Sequence, residues 1–491
     1  MRNASLAGAL AAALVFAAAA EADQSVLTYH GSLDRAGRYV VPGLTYERAR
    51  GLHLDASFHA AFQGEVYAQP LFWRPPGSGA RVLIVATEED EVYALDAKSG
   101  AEVWKRTLGE PVPRSALPCG NISPLGVTGA PVIDEERATL YLDAAVMRAD
   151  GPRHEIYALS LADGSIEPGW PLDVATALGG SFAPALQNQR GALAVFAGKV
   201  FVPFSGHWGD CGAYHGFVVG FSESEPAKAA SFMTRARGGG IWAQGGVSGD
   251  GKSLFAATGN TFRAIFWGDG EAVLRLGPDL AHPDDARGYF APSDWRILDF
   301  QDLDLGGTAP IPLNVASANG ARKLILAIGK NGVAYLLDRD NLGGIGGALA
   351  SARVTTNIAI ASPAVWSADD GVFVALQGHG ASCPADAPGE GLIGLRIRAD
   401  PAPSVATAWC GAVVGNGSPI VTTTGGSSDN AIVLILGAQG DNRLHAFRGD
   451  TGEQLASPPE QMRGLHHFQT LIATDDRLYV AADGTVYAFA F

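Results

Sequence analysis

The sequence is poor in charge. Asp, Glu, Lys and Arg make up 17% of its 491 residues, and basic side chains are the scarcer kind, 35 against 50 acidic. Surface-decorated helices need more Lys and Glu than this, which points away from an all-helical fold. A net charge of −15 repels phosphate backbones and counts against nucleic acid as a partner. Cysteine is scarce as well: four residues, with no C-x-x-C spacing, so the sequence encodes neither a thiolate metal site nor a C-x-x-C-H haem attachment. No membrane-spanning run occurs. The one long apolar stretch, residues 6–20, is too short and too Ala-rich to span a bilayer. It follows Arg2 and precedes Ala20-Glu21-Ala22, the small-x-small pattern of a cleaved signal segment. Residues 1–22 therefore read as a signal peptide and 23–491 as one exported domain, periplasmic or secreted, with no Cys placed for a lipid anchor.

Glycine and proline are plentiful, 63 and 28 residues, as short strands joined by tight turns require. A phrase recurs. Tyr93-Ala94-Leu95-Asp96-Ala97-Lys98-Ser99-Gly100, closing at Trp104, is the fullest copy. Tyr157-Ala158-Leu159, Tyr335-Leu336-Leu337-Asp338, His445-Ala446-Phe447 and Tyr487-Ala488-Phe489 repeat it. A strand sandwiched between two sheets is apolar on both faces and reads as such a run. Asp-x-x-x-Gly is turn chemistry, and the Trp beyond it is placed to cap the seam to the next sheet. Repeats open near Gln69, Thr128, Ala183, Gln244, Thr308, Ser362, Ser418 and His467. The last repeat lacks a fourth strand, which residues 54–63, within the N-terminal segment 23–66, are expected to supply. The fold class is all-β, an eight-bladed β-propeller closed by an N-terminal strand in the last blade.

Four cysteines in an exported chain allow two disulfides in three pairings. The propeller arrangement favours Cys119–Cys211 and Cys383–Cys410, because Cys119, Cys211 and Cys383 fall in loops of one face and Cys410 ends an outer strand near it. Gln69, Thr128, Gln244, Thr308, Ser362, Ser418 and Gln469 recur at inner-strand entrances and are expected to line a polar axial funnel. Residues 277–301 read as an extra loop over that face, and His466-His467 as rim residues.

Three stretches carry a resemblance: Leu254-Phe255-Ala256-Ala257-Thr258-Gly259-Asn260, Asp302-Leu303-Asp304-Leu305-Gly306, and Gly329-Lys330-Asn331-Gly332 leading into Tyr335. They are similar to segments of the quinoprotein alcohol dehydrogenases, eight-bladed propellers that hold pyrroloquinoline quinone and Ca²⁺ on the funnel axis. The Asp-x-Asp form resembles the polyvinyl alcohol dehydrogenase branch. The resemblance implies a catalytic Asp at Asp304 or Asp302, quinone contacts from Lys330, and Ca²⁺ ligation by Asn260 with Asp210. Hard oxygen donors suit Ca²⁺, and a carboxylate beside the quinone suits removal of an alcohol proton. Trp242 is either the flat floor under the quinone or ordinary packing at a strand mouth. The chain departs from the family: His215-Gly216 stands where the family has Arg-Gly, and two further differences bear on the site. It has no adjacent Cys-Cys pair, and Asp210 lies one residue from the usual carboxylate position. Read without the resemblance, Lys330-Asn331-Gly332 is a hairpin turn of the primed type, Asn260 a loop cap and Asp302 or Asp304 turn residues. Two functions follow. One is a quinone-dependent oxidoreductase acting on an alcohol or sugar-like substrate with a separate electron acceptor. The other is a non-catalytic scaffold binding a protein or glycan through its funnel face.

Overall fold

The structure, a computed structural model, describes residues 24–369, 371–425 and 428–491; the signal-peptide reading lies outside them. Eight sheets follow one another around an axis, spanning residues 71–107, 132–173, 187–233, 248–291, 311–353, 364–412, 420–456 and 472–490. Each is an antiparallel meander whose innermost strand comes first. The third inner strand opens at Gln187, later than expected, because Pro184–Leu186 forms a 3₁₀ turn ahead of it.

The repeat phrase acts as its chemistry demands. In Glu91–Asp96 the residues Val92, Tyr93, Ala94 and Leu95 are buried, and Asp96 Oδ1 accepts from the Ser99 amide at 2.8 Å. Trp104 donates its Nε1–H to Leu161 O of blade two at 3.0 Å, and Trp409 donates to Gly449 O of blade seven at 2.8 Å. The outer-strand indole of one blade thus seals against the turn of the next.

The ring closes through the N-terminal segment, by a shorter strand than the apolar pattern suggests. His53–Leu54 pair with Ala490 and Phe489, the Asp55 amide still bonds to Ala488 O at 2.8 Å, and the chain turns after Asp55. A second N-terminal device was not legible. Residues 24–41 cross the axis and bond to the inner strands of several blades. The amide and carbonyl of Val26 bond to Phe72, Leu27 O accepts from Ile133 N, Leu33 O from Gly249 N, Ala36 O from Val365 N, and Gly37 O from Val421 N. Arg38–Val40 then runs parallel to Ile420–Thr423 as a fifth strand of blade seven. This plug changes the role of the polar strand entrances. Gln69 accepts from the His30 amide and donates to Thr28 O, and the Ser362 amide donates to Ser418 Oγ. They are buried against the plug and each other, and the open cavity lies elsewhere.

Residues 277–301 are not simply an added loop. Tyr289–Ala291 is the fourth strand of blade four, followed by the short helix Trp295–Gln301. Both expected disulfides are formed, with Cα separations of 6.0 Å for Cys119–Cys211 and 5.7 Å for Cys383–Cys410. Among the described residues no helix is long and apolar enough to cross a membrane.

Between blades one and two lies a buried acidic group. Asp90 occupies a left-handed position (φ +54°), is fully buried, and neither carboxyl oxygen has a partner among the described residues. Burial, with Glu88, Asp143 and Glu155 nearby and only Arg148 opposing, pushes its carboxyl up to about 9. A raised carboxyl pKa means that the folded state holds the proton more tightly than the unfolded one. The stabilisation is complete below the unfolded value near 4 and is lost as pH rises towards 9. Asp90→Asn, which tolerates positive φ, is expected to raise stability at pH 8 by about 1–3 kcal/mol. Differential scanning calorimetry should show the gain vanish at pH 4.

Candidate functional site

The loops after the second strands of blades three, four and five, together with the strand entrances between them, surround a cavity of about 690 Å³. Asp210, Trp242, Asn260, Asp302, Asp304 and Lys330 all line it. Residues from 210 to 330 are therefore brought to one place.

The helix Trp295–Gln301 ends on Asp302, which takes the left-handed conformation (φ +55°) and turns the chain inward. Asp304 follows. Gly306 lets this turn lie on blade four, since a Cβ there would stand 2.7 Å from Thr258 C; a Cβ on Gly259 would meet Asp304 Oδ2 at 3.1 Å. Asp304 is 3% exposed and held from three sides. Oδ2 accepts from Trp242 Nε1 at 3.0 Å and pairs with Lys330 Nζ at 2.9 Å, and Oδ1 accepts from the Asn260 amide at 2.9 Å. Behind it Glu271 accepts from the Leu305 amide at 2.6 Å. Burial, reinforced by the charge of Asp304, holds the Glu271 carboxyl well above its ordinary range.

Lys330 sits on a turn closed by the Gly332 amide and Gly329 O at 2.9 Å. Gly332 has φ +76° and Asn331 is not in the left-handed region. The turn is thus a hairpin with a glycine bulge and not the primed type, which needs two residues at positive φ. Lys330 Nζ lies 3.0 Å from Asp302 Oδ1 and 5.1 Å from the centre of the Trp242 ring. Burial opposes its charge, but Asp304 and Asp302 more than offset this and hold the ammonium above its ordinary value. Trp242 is both wall and donor, so it does more than pack a strand mouth.

The metal expectation is met less well. Asp210 accepts from Tyr214 Oη at 2.6 Å, and burial raises its carboxyl above the ordinary value. The side-chain amide of Asn260 makes no hydrogen bond among the described residues. Both oxygens of Asp304 are engaged, and the described residues include no cluster of three or more His, Cys, Asp or Glu able to hold a metal ion. The donors do not form a Ca²⁺ site, because Tyr214 and Lys330 occupy the carboxylates that would have to turn to it. A flat anion is a different matter: an indole wall, an ammonium above it and a cavity of this volume fit a planar polyanionic ring.

Sequence reasoning missed several wall residues: Asn121, Arg190, His207, Trp208, Asn416 and Gln439. They come from loops with no repeat signature, so no sequence signal pointed to them. His467 lines the cavity, whereas His466 turns to Asp483 at 2.9 Å.

Comparisons with known proteins agree with this geometry at the level of fold. A PQQ-repeat family described as outer membrane protein assembly factor BamB matches residues 57–208, less than half of the chain. No curated protein matches. Among solved structures, the quinohemoprotein alcohol dehydrogenase from Comamonas testosteroni superposes with TM-score 0.66 at 16% identity, over 95% of this chain and 80% of that one. A europium-containing methanol dehydrogenase gives 0.64 at 15% identity, over 95% and 98%. BamB from Moraxella catarrhalis gives 0.50 at 13%, over 90% and 100%.

Proposed function

We propose that this propeller of PQQ repeats, with the fold of the quinoprotein dehydrogenases, is itself a dehydrogenase. Its cavity would hold pyrroloquinoline quinone against Trp242 and oxidise an alcohol or sugar-like substrate. The observation that carries this reading is the convergence of Asp304, Lys330 and Trp242 on one cavity wall. When bound, the quinone supplies the two-electron acceptor. Asp304, fixed by Trp242 and the Asn260 amide, accepts the substrate hydroxyl proton at a carboxylate oxygen. Lys330 offsets part of the charge of Asp302 and Asp304 and presents a cation to the anionic ligand. Trp208, Ile358, Ile360 and Phe468 line the same cavity and restrict water around the transferred proton. No step is assigned to Ca²⁺.

The test is a titration of the protein with pyrroloquinoline quinone, with and without Ca²⁺, followed by tryptophan fluorescence and by reduction of an artificial dye with alcohols. Micromolar binding and alcohol-dependent dye reduction are expected. Absence of binding under both conditions would remove the dehydrogenase reading.

One observation favours the scaffold alternative. Ile265, Phe266, Ile297 and Phe300 are exposed, Phe266 at 82%. They lie on the loop after Asn260 and on the helix before Asp302, beside the cavity. An exposed apolar group of this kind marks a contact surface for another macromolecule. Failure of the quinone titration would leave this surface as the functional feature of the face.

A further inference from the structure

The inner strand of blade three is broken. Asn188 stands opposite Ser205, and Ala194 opposite Phe201. Five intervening residues thus face three on the neighbouring strand, and the surplus forms a bulge. Arg190 is on that bulge. Its neighbour Gly191 packs so closely that a Cβ would stand 2.8 Å from Gly246 Cα and 2.9 Å from Ala243 O. The Ala192 amide anchors the end of the bulge on Gln244 O at 2.8 Å. The bulge delivers Arg190 to the cavity wall.

The guanidinium has no hydrogen bond or ion pair among the described residues, whereas Lys330, the other cation on the wall, is held between Asp302 and Asp304. The carboxyl that attracts Arg190, Glu88, is pushed up to about 7 by burial and forms no ion pair with it. His207 is 4% exposed with its Nε2 unpartnered, and His467 Nδ1 meets Gln439 Oε1 at 3.1 Å. Burial, helped by nearby positive charge including Arg190, pushes both imidazoles down to about 4, so they are neutral at pH 7. Glu88 is in range, but its Oε2 is bound to the Gly126 amide at 2.7 Å. Arg190 is half-buried on the cavity wall; a guanidinium held there without an ion pair is costly unless an anion meets it, and its planar fork matches a carboxylate in two-pronged fashion.

We propose that Arg190 is a carboxylate-binding subsite of this cavity, separate from the Lys330–Asp302–Asp304 cluster. This rests on the cavity being a ligand site. The carboxylate belongs either to the quinone, which carries three, or to an acidic substrate such as a hydroxy acid.

Four probes separate the sources: pyrroloquinoline quinone, its neutral trimethyl ester, glycerate and glycerol. Each is titrated by calorimetry into the mature chain and into its Arg190→Gln and Arg190→Lys variants, with folding checked by circular dichroism. Arg190→Gln is expected to weaken the carboxylate probe about 30-fold or more and to leave the matching neutral probe unchanged. Arg190→Lys should restore only part of the loss, because an ammonium keeps the charge but not the two-pronged fork. Proton NMR should show the His467 pKa rise in Arg190→Gln. A loss confined to the quinone assigns the cofactor's carboxylate, and one confined to glycerate assigns the substrate's. If the mature chain binds glycerate but no quinone, the dehydrogenase reading fails while the subsite stands. Arg190→Gln binding quinone and glycerate as tightly as the unaltered protein would overturn the subsite alone. Failure of the unaltered protein to bind either probe would overturn it too.

Discussion

Lys330→Met is expected to weaken quinone binding by about 100-fold or more and to abolish dye reduction, while Lys330→Arg keeps most of both. Lys330 Nζ stands between Asp302 Oδ1 at 3.0 Å and Asp304 Oδ2 at 2.9 Å. It is a permanent cation at neutral pH, since those carboxylates hold its pKa up against burial. Removing it leaves both carboxylates without their shared counter-charge at the point where an anionic ring must lie. Truncating one partner of a buried charged pair costs about 2–5 kcal/mol, much of it from the charge left behind. The effect should appear in fluorescence titration as lost affinity and not merely as lost turnover. A Lys330→Met protein that binds quinone normally would place the ring elsewhere in the cavity.

Arg35→Leu is expected to cost about 2–5 kcal/mol of stability, because buried neutral acceptors lose their donor, and to lower the thermal midpoint by several degrees. Arg35 is 1% exposed and forms the hub of the N-terminal plug. Its Nε and Nη2 donate to Val247 O at 3.1 and 2.9 Å, and Nη2 also to Leu193 O at 2.9 Å. Nη1 donates to Thr28 Oγ1 at 2.6 Å and Tyr29 O at 3.2 Å. Burial lowers the guanidinium pKa to about 10, so it stays charged at pH 7. Leu fills the volume but leaves three backbone carbonyls without donors, at about 1–3 kcal/mol each before relaxation. Calorimetry reads the loss. Hydrogen exchange adds a second readout: the Gly37, Val365 and Val421 amides should lose protection together. A change below about 1 kcal/mol would mean that the plug is an ornament of the fold and not one of its clamps.

The blade count and the closure through the N-terminal segment were legible in the sequence, and the propeller arrangement favoured the two disulfide pairings that form. These follow from local periodicity: a doubly buried strand, its Asp-x-x-x-Gly turn and its Trp carry the same chemistry wherever they occur. The sequence indicated Asp304, Lys330 and Trp242 only through the resemblance of their short stretches to the quinoprotein alcohol dehydrogenases. Tertiary structure alone decided the rest. Asp304 is bonded to residues 44 and 62 positions away, and no local pattern encodes such distances. The Ca²⁺ expectation weakened because Tyr214 and Lys330 claim the carboxylates, and competition for an acceptor is invisible until the competitors are placed. Nothing in the sequence singled out Arg35 or Arg190. A plug and a bulge turned one into a hub and left the other as an unpaired charge in a cavity, because the surroundings of a charge are set by what folds around it.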